Sequence, residues 1–378
     1  MKDSAIRIAG AGLAGLASAI TLARAGRQVI VHEAQPGVGY RFQNDLQGLE
    51  NWSTRQDVLE ELGGLGLTTS FETLACREGT AFDAWGRAYP VRSGAPLFYV
   101  VERGPGQRSL DTALLARARD LGVEVRFKDR LAALPGRGVL AVGPKAADAI
   151  GVGYHFETGM RDGFWVICDN ALAPKGYAYL LVMRGKGTVK SCMFSGFKQE
   201  RLYVERTVAA FRRLAGLEMK NARPHGGVGN IRLPAGALSG AHPVAGEQAG
   251  FQDALLGFGM RQAIRSGVLA ARSLLEGRDY NALWREALAP ELRTSIVNRA
   301  LYNLIGNGGY RWLLRWQARG DARDILHGQY RPAWYKHALW PWARTRYASQ
   351  RRDASCDHVD CECIWCRCGA EPEPEARA

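Results

Sequence analysis

The feature that most constrains this chain is residues 5–34, "AIRIAGAGLAGLASAITLARAGRQVIVHEA". A short apolar run ends at Ala9, and Gly10, Gly12 and Gly15 follow in G-x-G-x-x-G spacing. Apolar residues then recur at helical intervals (Leu16, Ile20, Ala23) until Gly26, and "QVIVHE" reads as a second strand ending on Glu33. Each glycine answers a different demand. Gly10 permits a tight turn, Gly12 lets backbone approach a pyrophosphate, and Gly15 lets the helix lie close to the sheet. The N–H groups of Ala11, Gly12, Leu13 and Ala14 open the helix, where unpaired donors and the positive end of the helix dipole favour phosphate. Glu33, followed by Ala34, falls where a carboxylate accepts ribose hydroxyls. An acid there disfavours a 2′-phosphate, so the expected ligand is FAD or NAD.

That stretch also mimics a signal peptide, with an early Lys before apolar residues. Asp3 and Arg7 interrupt it and no cleavage site follows, so the expected location is cytoplasmic, with membrane-surface association open. No apolar run is long enough to span a bilayer, and no internal repeat is visible.

Further along come "AQPGVGYRFQNDLQGLENW" with Arg41, and "YVVERGPGQRSLDTALLARARDLGVEVRF" with Arg103 ahead of a helix beginning near Leu110. "VAGEQAGFQDALLGFGMRQAIRSGVLAARSLL" carries Gly246, Glu247, Gly257 and Gly259 before a long helix rich in small residues. With these segments on the page, the chain resembles the geranylgeranyl reductase family of FAD-dependent oxidoreductases, within the p-hydroxybenzoate hydroxylase-type flavoproteins. The match rests on Arg41, on Arg103 with Asp111 and Leu114, on Pro174, Gly176 and Tyr177 of "APKGYAYLLV", and on Gly246, Ala249, Gly250, Gly257, Gly259, Ala263, Ser266 and Gly267. It spans about residues 5 to 275. Glu247 stands where the family has Asp, Tyr179 where it has Trp, and a middle segment prominent in aromatic monooxygenases is missing.

The resemblance implies an α/β protein: a Rossmann-like FAD-binding domain over 1–150 and 236–290 with an inserted antiparallel-sheet substrate domain over 151–235. Beyond it, the residues themselves mark a basic aromatic helical region over 291–352 and a Cys-rich tail over 353–378. Arg41, Arg103, Gly246, Glu247, Gly257 and Gly259 would join Gly10 to Gly15, Glu33 and Ala34 around FAD. Tyr154, Tyr177 and Tyr179 are expected to line the substrate cavity. Cys168 and Cys192 read as core thiols. The implied activity is hydride transfer through flavin N5 to or from an apolar, isoprenoid or lipid-like substrate. An FAD monooxygenase and a non-catalytic flavin electron carrier or assembly factor remain alternatives, and the electron donor, a protein or NAD(P)H, stays open.

Charge adds a partner. The formal net charge is +13, and between Arg299 and Arg352 eleven Lys or Arg face two Asp. Trp312, Trp316, Trp334, Trp340 and Trp342 share that stretch. Such a mixture suits a docked helical cap or an anionic membrane surface; nucleic acid is not expected.

The tail "CDHVDCECIWCRCG" gathers Cys356, His358, Cys361, Cys363, Cys366 and Cys368. These outnumber the four ligands of a tetrahedral zinc or an iron–sulfur cluster. A metal, a thiol–disulfide relay and an unligated end stay open.

Overall fold

The computed structural model describes residues 5–144 and 146–346 and the backbone of 351–352. The six tail residues Cys356, His358, Cys361, Cys363, Cys366 and Cys368 lie outside them. Among the described residues no group of His, Cys, Asp or Glu is placed to hold a metal. No described helix is long and apolar enough to cross a membrane.

The opening pattern folds as its periodicities require. Strand Ile6–Ala9 pairs in parallel with Val29–Glu33 on one side and Gly138–Leu140 on the other, and Glu124–Phe127 extends the sheet beyond Val29–Glu33. Helix Leu13–Arg24 links the first two strands. Nine of its twelve residues are buried, more than a one-faced helix would hide. The reason is a second partner: helix Met260–Glu276 lies against it and reaches strand Gly138–Leu140 of the same sheet. A Cβ at Gly267 would run into the Ala14 backbone, so only glycine allows this approach, and Ser18 Oγ donates to the Gly267 carbonyl at 2.7 Å. Residues distant in sequence thus share one core with the opening strand.

The larger sheet has seven strands in the order Lys220–Gly229, Ala149–Glu157, Lys186–Met193, Tyr177–Met183, Gly163–Cys168, Glu78–Asp83, Ala88–Arg92. All neighbours are antiparallel except one: Gly163–Cys168 runs parallel to Glu78–Asp83, with Trp165 opposite Thr80. The last two strands fall within the span 1–150, yet they complete the sheet of 151–235. The domain reading therefore needs that amendment.

Alternation along these strands gives the sheet two different faces. Leu180 and Val182 of one strand, Val189 and Met193 of the next, and Val152 and Phe156 of a third pack beneath helix Glu200–Ala215 through Val204, Val208 and Phe211. The opposite parity (Tyr177, Tyr179, Leu181, Lys190, Cys192) faces a cavity.

The basic aromatic region is helical: Ala289–Leu304, Asn307–Gln317, Ala322–Tyr330 and Trp334–Thr345. Its attachment is polar as well as apolar. Arg299 is fully buried; its guanidinium donates to the carbonyls of Ala254 (2.9 Å), Leu255 and Lys175 and lies 3.7 Å over the Phe194 ring. Lys336, also buried, donates to the carbonyls of Gln329 and, at 2.8 Å, Arg331 at the end of helix Ala322–Tyr330. Burial pulls its ammonium down to about 8.

Candidate active site

One cavity of about 1250 Å³ runs from the glycine turn to the C-terminal helices. Drug-sized ligands occupy sites of roughly 300–1,000 Å³, so this space exceeds the need of one small ligand.

At the first end the three glycines separate by role. Gly10 has φ +101°, and a Cβ there would strike the Ala141 carbonyl. A Cβ on Gly15 would strike the Gly10 carbonyl. Gly12 precedes the helix, lines the cavity, and a Cβ there would meet nothing within 4 Å. Two glycines are demanded by the fold and one opens onto the cavity, beside Leu13 and Ala14. Glu33 accepts from the Ala11 N–H at 2.7 Å and the Gln35 N–H at 2.9 Å. Burial raises its carboxyl above the usual range, against the pull of those N–H groups and of Arg41. Each oxygen keeps lone-pair capacity for a hydroxyl donor, and Ala34 lines the cavity beside it.

The middle is built from charge pairs. Arg41 sits in the turn Tyr40–Phe42 and donates to Glu247 Oε2 at 2.7 Å. Glu247 Oε1 accepts from the Asn230 N–H at 3.2 Å. Arg103 lines the cavity but is held behind it: it grips both oxygens of Asp111 at 2.8 and 3.0 Å and stacks 4.1 Å over Phe42. Asp111 also accepts from the Gly104 N–H at 2.9 Å. Arg103 thus ties the end of strand Phe98–Arg103 to helix Leu110–Asp120 and to the Tyr40–Phe42 turn.

Gly246 has φ +66°, and a Cβ there would press on Ala14, so this turn is seated on the first helix. Gly257 has φ +80° with open space around it, and Gly259 precedes helix Met260–Glu276. Both line the cavity. Gln252 beside them donates Nε2–H to the Gly257 carbonyl at 2.6 Å, while its buried Oε1 has no partner among the described residues. Sequence reading passed over Gln252, since a lone Gln in a glycine loop carries no spacing signal.

The far end is apolar and aromatic: Phe98, Phe164, Leu181, Leu301 and Ile305, with Tyr177, Tyr179, Tyr302 and Tyr310. Tyr177 donates to the Leu256 carbonyl, and Tyr302 stacks on Tyr310 at 4.4 Å. Tyr154 is a correction. It stands opposite Val189 and packs on the core beneath helix Glu200–Ala215, away from the cavity, because its position has the wrong parity. Cys168 and Cys192 are corrected in the other sense, since both line the cavity. Burial pushes their thiols up to about 12 and about 11, so they stay protonated and serve as apolar wall.

Comparison with known proteins agrees with this fold. The profile of NAD(P)-binding Rossmann-like domains matches residues 8–48. A geranylgeranyl bacteriochlorophyll reductase-like protein from Thermoplasma acidophilum superposes with a TM-score of 0.66 at 15% identity, covering 84% of this chain and 91% of that one. The chain shares its fold. A flavoprotein/dehydrogenase from Cytophaga hutchinsonii gives 0.61 at 13% identity over 91% and 96% of the two chains. For p-nitrophenol 4-monooxygenase from Pseudomonas putida the values are 0.60 and 12% over 92% and 99%. No curated protein matches the sequence at a significant level.

Proposed function

We propose that this chain is an FAD-dependent oxidoreductase that passes a hydride between flavin and an apolar substrate. One observation carries the reading: a single cavity joins a dinucleotide-type turn to an apolar chamber. The residues fit FAD. Gly12 and the first helix N-terminus would face the pyrophosphate, and Glu33 would accept the ribose hydroxyls. Arg41 and Glu247 border the linker, and the orphaned Gln252 Oε1 would accept an N–H of the flavin ring. When bound, FAD supplies a two-electron store and a hydride carrier. The N-terminus of helix Met260–Glu276 favours negative charge on the reduced cofactor. Phe98, Phe164, Leu181 and the tyrosines exclude water from the transfer and leave the substrate an apolar bed.

The segment at the cavity edge supports a reading of the substrate's source. Trp312 lines the cavity yet is 65% exposed, so it marks an opening. Leu304 and Trp316 are exposed nearby in sequence, and Arg315 and Arg319 follow on the same segment. Aromatics and cations on one segment beside the cavity suit an anionic lipid surface, from which an isoprenoid or lipid-like substrate would enter.

The test is an anaerobic single turnover. Protein carrying photoreduced FAD is mixed with long-chain prenols or unsaturated lipids. Return of the oxidised-flavin absorbance band together with a saturated product supports the reading. Oxidation only on admitting oxygen, with a hydroxylated product, would replace it by the monooxygenase alternative.

A further inference from the structure

Between the Arg41 turn and the apolar end, the cavity wall contains a buried charged cluster that the sequence reading did not single out. Lys190, in strand Lys186–Met193, lines the cavity. Its ammonium donates to Asp45 Oδ2 and, at 2.8 Å, to His225 Nδ1. His225 Nε2 donates in turn to the Arg41 carbonyl at 3.0 Å, which assigns the neutral tautomer with its hydrogen on Nε2. Burial and the Lys190 charge push His225 down to about 4. Asp45 has no exposed surface and also accepts from Thr188 Oγ1 at 2.9 Å and Gln47 Nε2 at 3.1 Å. Burial alone would raise its carboxyl, but Lys190 and His225 outweigh that and hold it at about 2. An ammonium has three N–H donors, and two are used among the described residues.

Directly across the strand pair from Lys190 stands Tyr179. It lines the same cavity, and its hydroxyl makes no hydrogen bond among the described residues. Burial, with the Asp45 charge adding to it, keeps this phenol well above its ordinary range, so it remains a donor. Burying an ammonium–carboxylate pair costs several kcal/mol per ion before the attraction is counted. Here the pair lies in the wall of an apolar chamber, where hydrophobic residues would be cheaper.

We propose that Lys190 and Tyr179 form a two-donor site for the carbonyl oxygen of an apolar α,β-unsaturated carbonyl substrate. The proposal rests on the flavin reading above and narrows its substrate. Asp45 already cancels the Lys190 charge. The site therefore suits an oxygen that is neutral in the ground state and gains negative charge in the reaction, better than a carboxylate. Hydride addition also needs somewhere for the alkene electron pair to go, and a conjugated carbonyl supplies it without prior protonation of the double bond. The hydride arrives at the β-carbon from reduced FAD, itself charged by a nicotinamide or another two-electron donor. The C=C pair moves to give an enolate whose oxygen Lys190 and Tyr179 hold. The α-carbon then takes a proton from water, leaving a saturated carbonyl and oxidised FAD.

The test uses the full chain without flavin and β-ionone as probe, so it does not depend on cofactor binding. A conjugated carbonyl that accepts hydrogen bonds absorbs further to the red. The wild type should red-shift β-ionone on binding. Lys190→Met should abolish the shift and weaken binding at least tenfold, Lys190→Arg should keep both in large part, and a matched hydrocarbon lacking the oxygen should bind wild type and Lys190→Met alike. Tyr179→Phe leaves the Lys190–Asp45 pair intact and should lose part of the shift. An unchanged shift and affinity in Lys190→Met and Tyr179→Phe overturns the proposal, as does equal loss of the hydrocarbon. Failure to bind FAD with the β-ionone shift intact would sink the flavin reading alone.

Discussion

Valine at Gly15 and valine at Gly12 are expected to do opposite things. The first would drive a side chain into the Gly10 carbonyl, and overpacking of this kind costs about 3 kcal/mol or more. The second would project into open cavity, leaving thermal stability within about 0.5 kcal/mol of wild type. It would cut FAD affinity at least tenfold by occupying the pyrophosphate position. Melting temperature and FAD titration of the two variants separate these effects. A second residue-scale prediction concerns acid. His225 titrates near 4 in the fold against an ordinary 6.5. The unfolded chain therefore binds its proton first, and stability is complete above pH 6.5 and lost as pH falls towards 4. At 1.36 kcal/mol per unit the loss approaches about 3 kcal/mol. Asp45, at about 2 against 3.8, adds a further loss below pH 3.8. Urea midpoints at pH 7, 5 and 4 should fall in wild type and fall less in His225→Gln. The glycines and Glu33 were legible in the sequence because their spacing is short and local. Lys190, Asp45 and His225 were not, because three strands far apart in sequence bring them together.

At the scale of elements, Arg299 ties the C-terminal helices to the sheet. Arg299→Met would keep the apolar stem and leave the carbonyls of Ala254, Leu255 and Lys175 without their donor, a loss of about 3 kcal/mol. Limited proteolysis should then cut between the helices of 289–345 before it cuts the opening domain. A wild-type digestion pattern would show that the apolar contacts suffice. Strand and helix identities were readable wherever the period was clean, as in Leu13–Arg24 and Tyr177–Met183. Which face a strand residue takes was harder. Tyr154 and Tyr177 look alike in sequence, and only the pairing of Tyr154 with Val189 and of Tyr177 with Cys192 sets them on opposite sides. The recruitment of Glu78–Asp83 and Ala88–Arg92 into the large sheet was hidden for a related reason. Parallel pairing across some eighty residues leaves no local signal.

For the whole molecule, the architecture places a cofactor-type turn and an apolar chamber in one space, with the exposed Trp312 of helix Asn307–Gln317 at its edge. If that edge meets lipid, the protein should sediment with vesicles containing anionic phosphatidylglycerol and stay in solution with neutral phosphatidylcholine. Trp312→Ala combined with Trp316→Ala should reduce the bound fraction severalfold, and added salt should reduce it further. Equal sedimentation with both lipids, or none with either, would contradict this role. The central claim is the flavin, and it is tested most directly by titrating FAD into the purified chain while following absorbance and flavin fluorescence. The account predicts saturable one-to-one binding with a perturbed flavin spectrum, weakened at least tenfold in Gly12→Val. A spectrum that remains that of free FAD at every protein concentration would contradict it.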